Sequence, residues 1–429
     1  MARRILLFIA LLLPFAVAHA APLEPIFSQP NLWSMKQSEF EVAARGMGFE
    51  WTSTARDSAR SVQRGLTVFG EPAVEAVVRF EAEKLKEITV TIYARGDAGE
   101  LGKERYETLI RTSIEALNRG TGAKFTPRGK DASNAVKADG VFWQTPQARY
   151  LLEYSATKEV KSRDIPFRAE FVRLEVTPPP KTGGLLTATT STTGRERFSG
   201  VQHVRKDAAS GDVVIPDVPM VDQGQKGYCV VASAERVMRY YGAQVDANEL
   251  AQIANSDSEG GTSFTAMHAA LKKVGARLKV KVREHEETSV KSILELIKDY
   301  NRAAKKAGVA EVADPGNFID YGVIYGQMKY ETLKEARTKA RADMGRFQRE
   351  VQQHIDQGVP LLWSVHLGLV KEPGIPQNAG GHMRLIIGYN LKTSEVIFTD
   401  SWGAGHEQKR MAMDDAWTIT NGLSSIEPL

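Results

Sequence analysis

Apolar and polar positions alternate at residues 66–69, 76–80 and 88–93, the period of half-buried strands. From about residue 104 to 117 the period changes. Tyr106, Leu109, Ile110, Ile114 and Leu117 then fall on one side of a helix, which Gly120 is expected to close. Strand patterns return at 148–154 and 167–176, so residues 21–177 are expected to form a small α+β domain, with Trp51, Phe142 and Trp143 in its core. The periodicity then lapses. Residues 178–205 run through Pro178, Pro179 and Pro180 into glycines and threonines with no regular apolar position, the composition of a linker. Beyond it, Val230, Ala234, Val237, Met238 and Tyr241 mark a helix over 229–241 that ends at Gly242. Further helices are expected at 264–274, 290–307 and 330–357, and strands at 361–365, 383–389 and 396–399. Residues 206–429 therefore read as a second α+β domain, a helical half followed by a sheet half, and no internal repeat is visible on either side of the linker.

Composition adds a destination and removes some partners. Arg3 and Arg4 precede an apolar run over residues 5–18 and the small-residue site Ala18-His19-Ala20, the three parts of a cleavable secretory signal. Residues 1–20 are thus expected to direct export, to the periplasm or outside the cell. The run is too short to cross a bilayer comfortably and no later one is longer, so no integral membrane segment is expected. Without that segment, 54 of the 56 basic residues face 52 acidic ones, a balance that does not call for nucleic acid. A chain of 429 residues with 42% hydrophobic composition has material for two cores. Lys305-Lys306 and the basic residues over 337–341 read as solvated helix faces.

The chemistry begins with Cys229, the only cysteine. Exported proteins use cysteines mainly in pairs, and a single one cannot form a bridge within the chain. It falls in the first turn of its helix, after the turn-like residues 225–228, where unpaired backbone N–H groups favour a thiolate. Of eight histidines, His382 is the best placed partner, because Gly380-Gly381 leads through it into the apolar run Met383 to Tyr389. His203, His285, His354 and His406 lie in polar surroundings and are expected to be solvated; His268, in a helix, and His366, in a strand, are weaker alternatives. Asp400 ends the strand at 396–399, and a turn near 390–395 would return it to His382, with Trp402 over the pair. Each residue also has an ordinary structural reading: a small buried thiol, a sheet-edge histidine, a turn aspartate.

Taken in order, Gln223, Cys229, the Gly-His382 step into an apolar strand, and Asp400-Ser401-Trp402-Gly403 resemble the papain-like cysteine peptidases, and most of all the bacterial branch similar to the C39 bacteriocin-processing peptidases. The resemblance covers roughly residues 218–417. It implies a papain-like domain in which Cys229 is the nucleophile, His382 the base and acid, Asp400 the orienting residue and Gln223 an oxyanion donor. It also implies a peptide or protein substrate and no cofactor or metal. Papain has asparagine at the position of Asp400, and a tryptophan and a second cysteine near its nucleophile, where this chain has Tyr228 and Val230. Two other readings stay open: acyl transfer through the same residues, and a binding protein that has kept the fold without catalysis. The first domain resembles no family, and the hydroxyl-rich linker suggests a loosely coupled targeting or regulatory part.

Overall fold

The computed structural model describes residues 20–429 except 129–135, 160–161, 163, 181–197, 225–226, 244, 257–261, 263, 287–288, 317–318, 340 and 374–378. The proposed signal segment, save its last residue, and most of the linker lie outside the described residues. So do Gln225 and Lys226 of the turn before Cys229.

Alternation in the first part builds one eight-stranded antiparallel sheet. Its order is Glu50–Trp51, Ser58–Ser61, Glu75–Glu81, Lys84–Ala94, Arg168–Thr177, Arg149–Thr157, Asp139–Gln144 and Thr126–Pro127. Every second residue of Glu75–Glu81 is buried, as a period of two requires. The strand expected at 66–69 belongs to a separate three-stranded sheet, as Leu66–Val68 between Ala21–Pro22 and Glu71–Pro72. Trp143, Leu152 and Val176 are buried in the core of this part, whereas Trp51 and Phe142 are only partly buried. The helix runs over Lys103–Thr121 and is capped by Gly122 at φ 64°, so Gly120 does not close it. Gly120 answers a packing need instead: a Cβ there would overlap the Phe69 ring.

The second part folds as helices and then a sheet. Cys229–Tyr240, Ala247–Ala254, Phe264–Leu278 and Val290–Ala307 are helices, and the stretch expected as a helix at 330–357 is helical over Tyr330–Lys339 and Arg341–Asp356, on either side of residue 340, which is outside the described residues. The Trp417 indole donates to the Arg337 carbonyl at 3.1 Å, with the Arg337 guanidinium 4.4 Å from the Trp417 ring centre. The antiparallel sheet has the order Arg205–Lys206, Asp212–Val214, Gly380–Asn390, Leu361–Leu367, Thr420–Pro428 and Val280–Glu286, and Glu395–Thr399 pairs both Gly380–Asn390 and Lys409–Ala412. Thr420–Pro428 lies inside the sheet although Asn421, Ser424, Ser425 and Glu427 interrupt its apolar pattern. The main core of this part joins the Cys229 helix to these strands through residues such as Val231, Val237, Trp363 and Ile386.

The two parts touch through buried charge. Arg173, in the first sheet, donates to Glu153 at 2.7 and 2.9 Å and to Glu249 at 2.8 Å, and it also pairs with Asp246. Asp246 caps the helix Ala247–Ala254 by accepting from the Glu249 N–H at 3.0 Å. At the other end of that helix, Arg168 bonds Asn255 and Arg95 bonds the Ser256 carbonyl. The loose coupling expected from the linker composition is not what the described residues display.

Candidate active site

Cys229 is the first residue of its helix and is half-buried. The groups that act on its sulfur are the His382 side chain and the backbone N–H groups of Met383 and Val230. Burial pushes the thiol pKa up, but the imidazole and the two N–H groups outweigh it, and the net shift is downward.

His382 is the third residue of Gly380–Asn390 and is buried. The chain reverses after this strand because the Asn390 side chain accepts from the N–H groups of Lys392 and Thr393 at 2.8 and 3.0 Å, and Ser394 takes a φ of 56°. The returning strand pairs Thr399 with Leu385, and this register sets Asp400 beside His382. Nε2 of His382 lies 3.0 Å from Asp400 Oδ1, which leaves Nδ1 for the thiol. Trp402 stacks on the imidazole at 4.3 Å between ring centres and 16° between planes, shielding that bond from water. Burial alone would lower the His382 pKa; Asp400 and Cys229 reverse the sign and hold it above the ordinary histidine value.

Asp400 is held by more than histidine. Arg384 Nε donates to Oδ1 at 2.9 Å and Lys409 Nζ reaches Oδ2 at 3.3 Å. Despite burial, these cations and His382 keep the carboxyl well below the usual carboxylate range. Arg384 is fully buried, bridges Asp400 to Glu372 at 2.9 and 3.0 Å, and lies 4.6 Å from the Phe398 ring centre. Arg236, two turns into the Cys229 helix, donates to the carbonyls of Pro219 and Asp400 at 2.8 Å each and to Thr399 Oγ1 at 2.7 Å. It thereby ties the helix to the loop that carries Asp400.

Gln223 precedes this helix in a loop fixed to the other side of the site. Its N–H donates to the Ser401 carbonyl at 2.9 Å, and the Ser401 hydroxyl donates to its Oε1 at 2.6 Å. That bond sets the amide's orientation, with its NH2 end turned away from Ser401. His382 thus faces both the Cys229 thiol and the Asp400 carboxylate, and Gln223 is tied to Ser401, the residue after Asp400. Such an arrangement favours a thiolate–imidazolium pair.

The other histidines lie elsewhere or do other things. His366 stacks on Tyr325 at 4.4 Å and His268 faces Glu284 at 3.9 Å. His406, expected to be solvated, bonds Lys409 at 2.7 Å and packs edge-on against Trp402. His285 and His354, also expected in solvent, lie against one another with ring centres 4.4 Å apart. His203 keeps a more exposed position and bonds Asp217 at 3.2 Å.

Sequence reasoning missed the first part's approach to this site. Arg60 pairs with Glu75 and lies 3.8 Å from Asp222, and it packs so closely on Gly224 that a Cβ there would collide with its guanidinium. The Thr54 N–H donates to Glu407 at 2.6 Å, and Gly96 leaves room for the Tyr228 side chain beside Cys229. Between the two parts runs a cleft of about 450 Å³ whose walls include Glu50, Trp51, Arg60, Asp222, Trp402 and Gly403.

Comparison with known proteins covers the same region. The model of the Peptidase_C39 like family matches residues 215–301 and 264–425, the region that holds all four residues. The C-terminal half of the chain belongs to that family. Among solved structures, this C39-like chain is similar to xylellain, a cysteine protease from Xylella fastidiosa, with 13% identity and a TM-score of 0.26 over 55% of this chain and 90% of that one. No curated protein matches it. It is a mixed fold of helices and antiparallel sheets, and among the described residues no helix is long and apolar enough to cross a membrane.

Proposed function

We propose that the protein is an exported cysteine peptidase that cleaves peptide bonds with Cys229 as nucleophile, His382 as base and acid, Asp400 as orienting residue and Gln223 as oxyanion donor. One observation carries the reading: the imidazole whose Nε2 lies 3.0 Å from Asp400 is the same one that draws the Cys229 thiol pKa down. In this reading the thiolate attacks the carbonyl carbon, a C–S bond forms, and the carbonyl π pair moves onto oxygen. The Gln223 amide and the Cys229 N–H receive that charge, and such donors are worth on the order of 10²–10³ in rate. The imidazolium then gives its proton to the leaving amine as the C–N bond breaks. Water, deprotonated by the neutral imidazole, attacks the thioester, and breaking the C–S bond releases the acid and restores the thiolate.

The charged and apolar start of the chain supports export. Residues 21–177 and 206–429, joined through 178–205, are read as two domains, each with its own sheet. The cleft between them adjoins Trp402, so a bound peptide would run between Trp402 and the Trp51 and Arg60 of the first domain.

The test uses the full-length protein. Cys229→Ala is expected to abolish peptide cleavage while leaving the circular dichroism unchanged, and unchanged cleavage would overturn the assignment. Iodoacetamide is expected to alkylate Cys229 rapidly well below the ordinary thiol pKa of about 8.5, and more slowly in His382→Ala. Only free-acid products in the presence of an added amine would favour hydrolysis over acyl transfer.

A further inference from the structure

Away from the thiol, three segments distant in sequence bring two histidines and a carboxylate together. His285 is the penultimate residue of the strand Val280–Glu286, His354 is in the last turn of the helix Arg341–Asp356, and Glu427 is near the end of the strand Thr420–Pro428. One ligand atom from each lies within 4.8 Å of the others, and the three residues are partly buried. Two atoms bound at about 2.1 Å to one tetrahedral ion are about 3.4 Å apart, so modest side-chain rotations close the set.

The surrounding contacts orient both rings in the same way. His285 Nδ1 lies 3.2 Å from the Glu350 carboxylate, and His354 Nδ1 lies 2.8 Å from the Glu350 backbone carbonyl. Each Nδ1 therefore serves as an N–H donor, and the lone pair of each ring is on Nε2. His354 Nε2 is 3.8 Å from Glu427 Oε1, and His285 Nε2 is 3.0 Å from the Ser425 hydroxyl, which donates to the same Oε1 at 2.7 Å. Arg283 takes the other oxygen, Oε2, at 3.0 Å, leaving Oε1 turned to the histidines. A carboxylate and a carbonyl behind two imidazoles form the outer support that fixes ring orientation in metal sites.

We infer that His285, His354 and Glu427 bind a divalent first-row transition ion, with Zn²⁺ the best match to two imidazoles and one carboxylate. A fourth position remains for water or the Ser425 hydroxyl. The ion would tie the edge strand and the last strand to the helix that flanks them, away from the Cys229 chemistry.

The experiment is done on full-length Cys229→Ala, because the thiol and His382 are themselves metal-binding groups. After stripping with a chelator, the protein is titrated with Zn²⁺ by calorimetry and with Co²⁺ by visible absorption. One equivalent of each is expected to bind, with micromolar or tighter affinity for Zn²⁺, four-coordinate Co²⁺ bands, and a Tm that rises with Zn²⁺. Adding His354→Ala is expected to weaken Zn²⁺ binding more than 100-fold, and Glu350→Gln about 10- to 100-fold. His285→Gln is the second ligand variant, and circular dichroism without metal establishes that each variant is folded. Absence of a stoichiometric site, or a site that survives both ligand variants, would overturn the inference.

Discussion

Asp400 receives His382, Arg384 and Lys409 on its two oxygens, so its charge is fixed and its influence falls on the imidazole. The sign of the pH dependence follows. The His382 pKa is raised, so its contribution to stability is fully present below the unfolded value of about 6.5 and is lost as pH rises through the folded value. The Asp400 pKa is depressed, so its contribution is present above about 3.9 and is lost as pH falls through the folded value. Urea unfolding of the wild type and of His382→Gln is expected to differ most between about pH 4 and 6.5, with the gap closing at higher pH. A gap that stays constant from pH 5 to 9 would contradict the raised pKa. Cys229, His382 and Asp400 were legible because a single thiol, a Gly-Gly-His step and an aspartate after a returning strand are each uncommon patterns. Arg384 and Arg236 were not, since a basic residue inside an apolar run gives no sign of which carboxylate or carbonyl it meets across the fold.

At the scale of elements, the Cys229 helix matters as a lever as well as a source of N–H groups. Arg236 sits two turns along it and holds the carbonyl of Asp400, and burial pulls its guanidinium pKa down to about 10, the sign of an expensive position retained for its three bonds. Arg236→Met is expected to lower kcat about 10- to 100-fold with little change in KM, since displacements of about an ångström cost that much. The leftover carbonyls would cost about 1–3 kcal/mol in urea unfolding. A structural role alone would leave the acid limb of Cys229 alkylation in place, whereas loss of the tether should move it to higher pH; full activity with an unmoved limb would remove Arg236 from the site's support. Most strands and helices around this lever could be read from periodicity. The departures came where long-range contacts overrode it: Gly120 under Phe69, and a final strand whose polar residues concealed its place inside the sheet.

For the whole molecule, the decisive feature is the grip of the first sheet on the helix Ala247–Ala254 and on the loops around Gln223, Tyr228 and Glu407. Arg173 carries the largest share, because it faces Glu153, Asp246 and Glu249 together in a nearly dry setting. Replacing it with methionine removes that cation from Glu249 and Asp246, while Glu153 keeps Arg128 and Asp246 keeps the Glu249 N–H. Breaking a buried ion pair from one side typically costs about 3–5 kcal/mol, and salt screens such a pair far less than a surface one. Arg173→Met is therefore expected to lower the unfolding midpoint alike at about 0.1 M and about 1 M salt, a range over which exposed pairs are screened away. A fragment beginning at Gly200 should suffer the same loss and more, since Arg60, Thr54 and Gly96 also leave the neighbourhood of Gln223 and Tyr228. Its peptidase rate is expected to fall well below that of the full chain even where circular dichroism reports a folded product, and Arg60→Ala in the full chain should reproduce part of that fall. If the fragment instead matched or exceeded the full chain in rate and stability, the first sheet would be a passenger or an inhibitor, and the contacts around Gln223 would have no part in the chemistry.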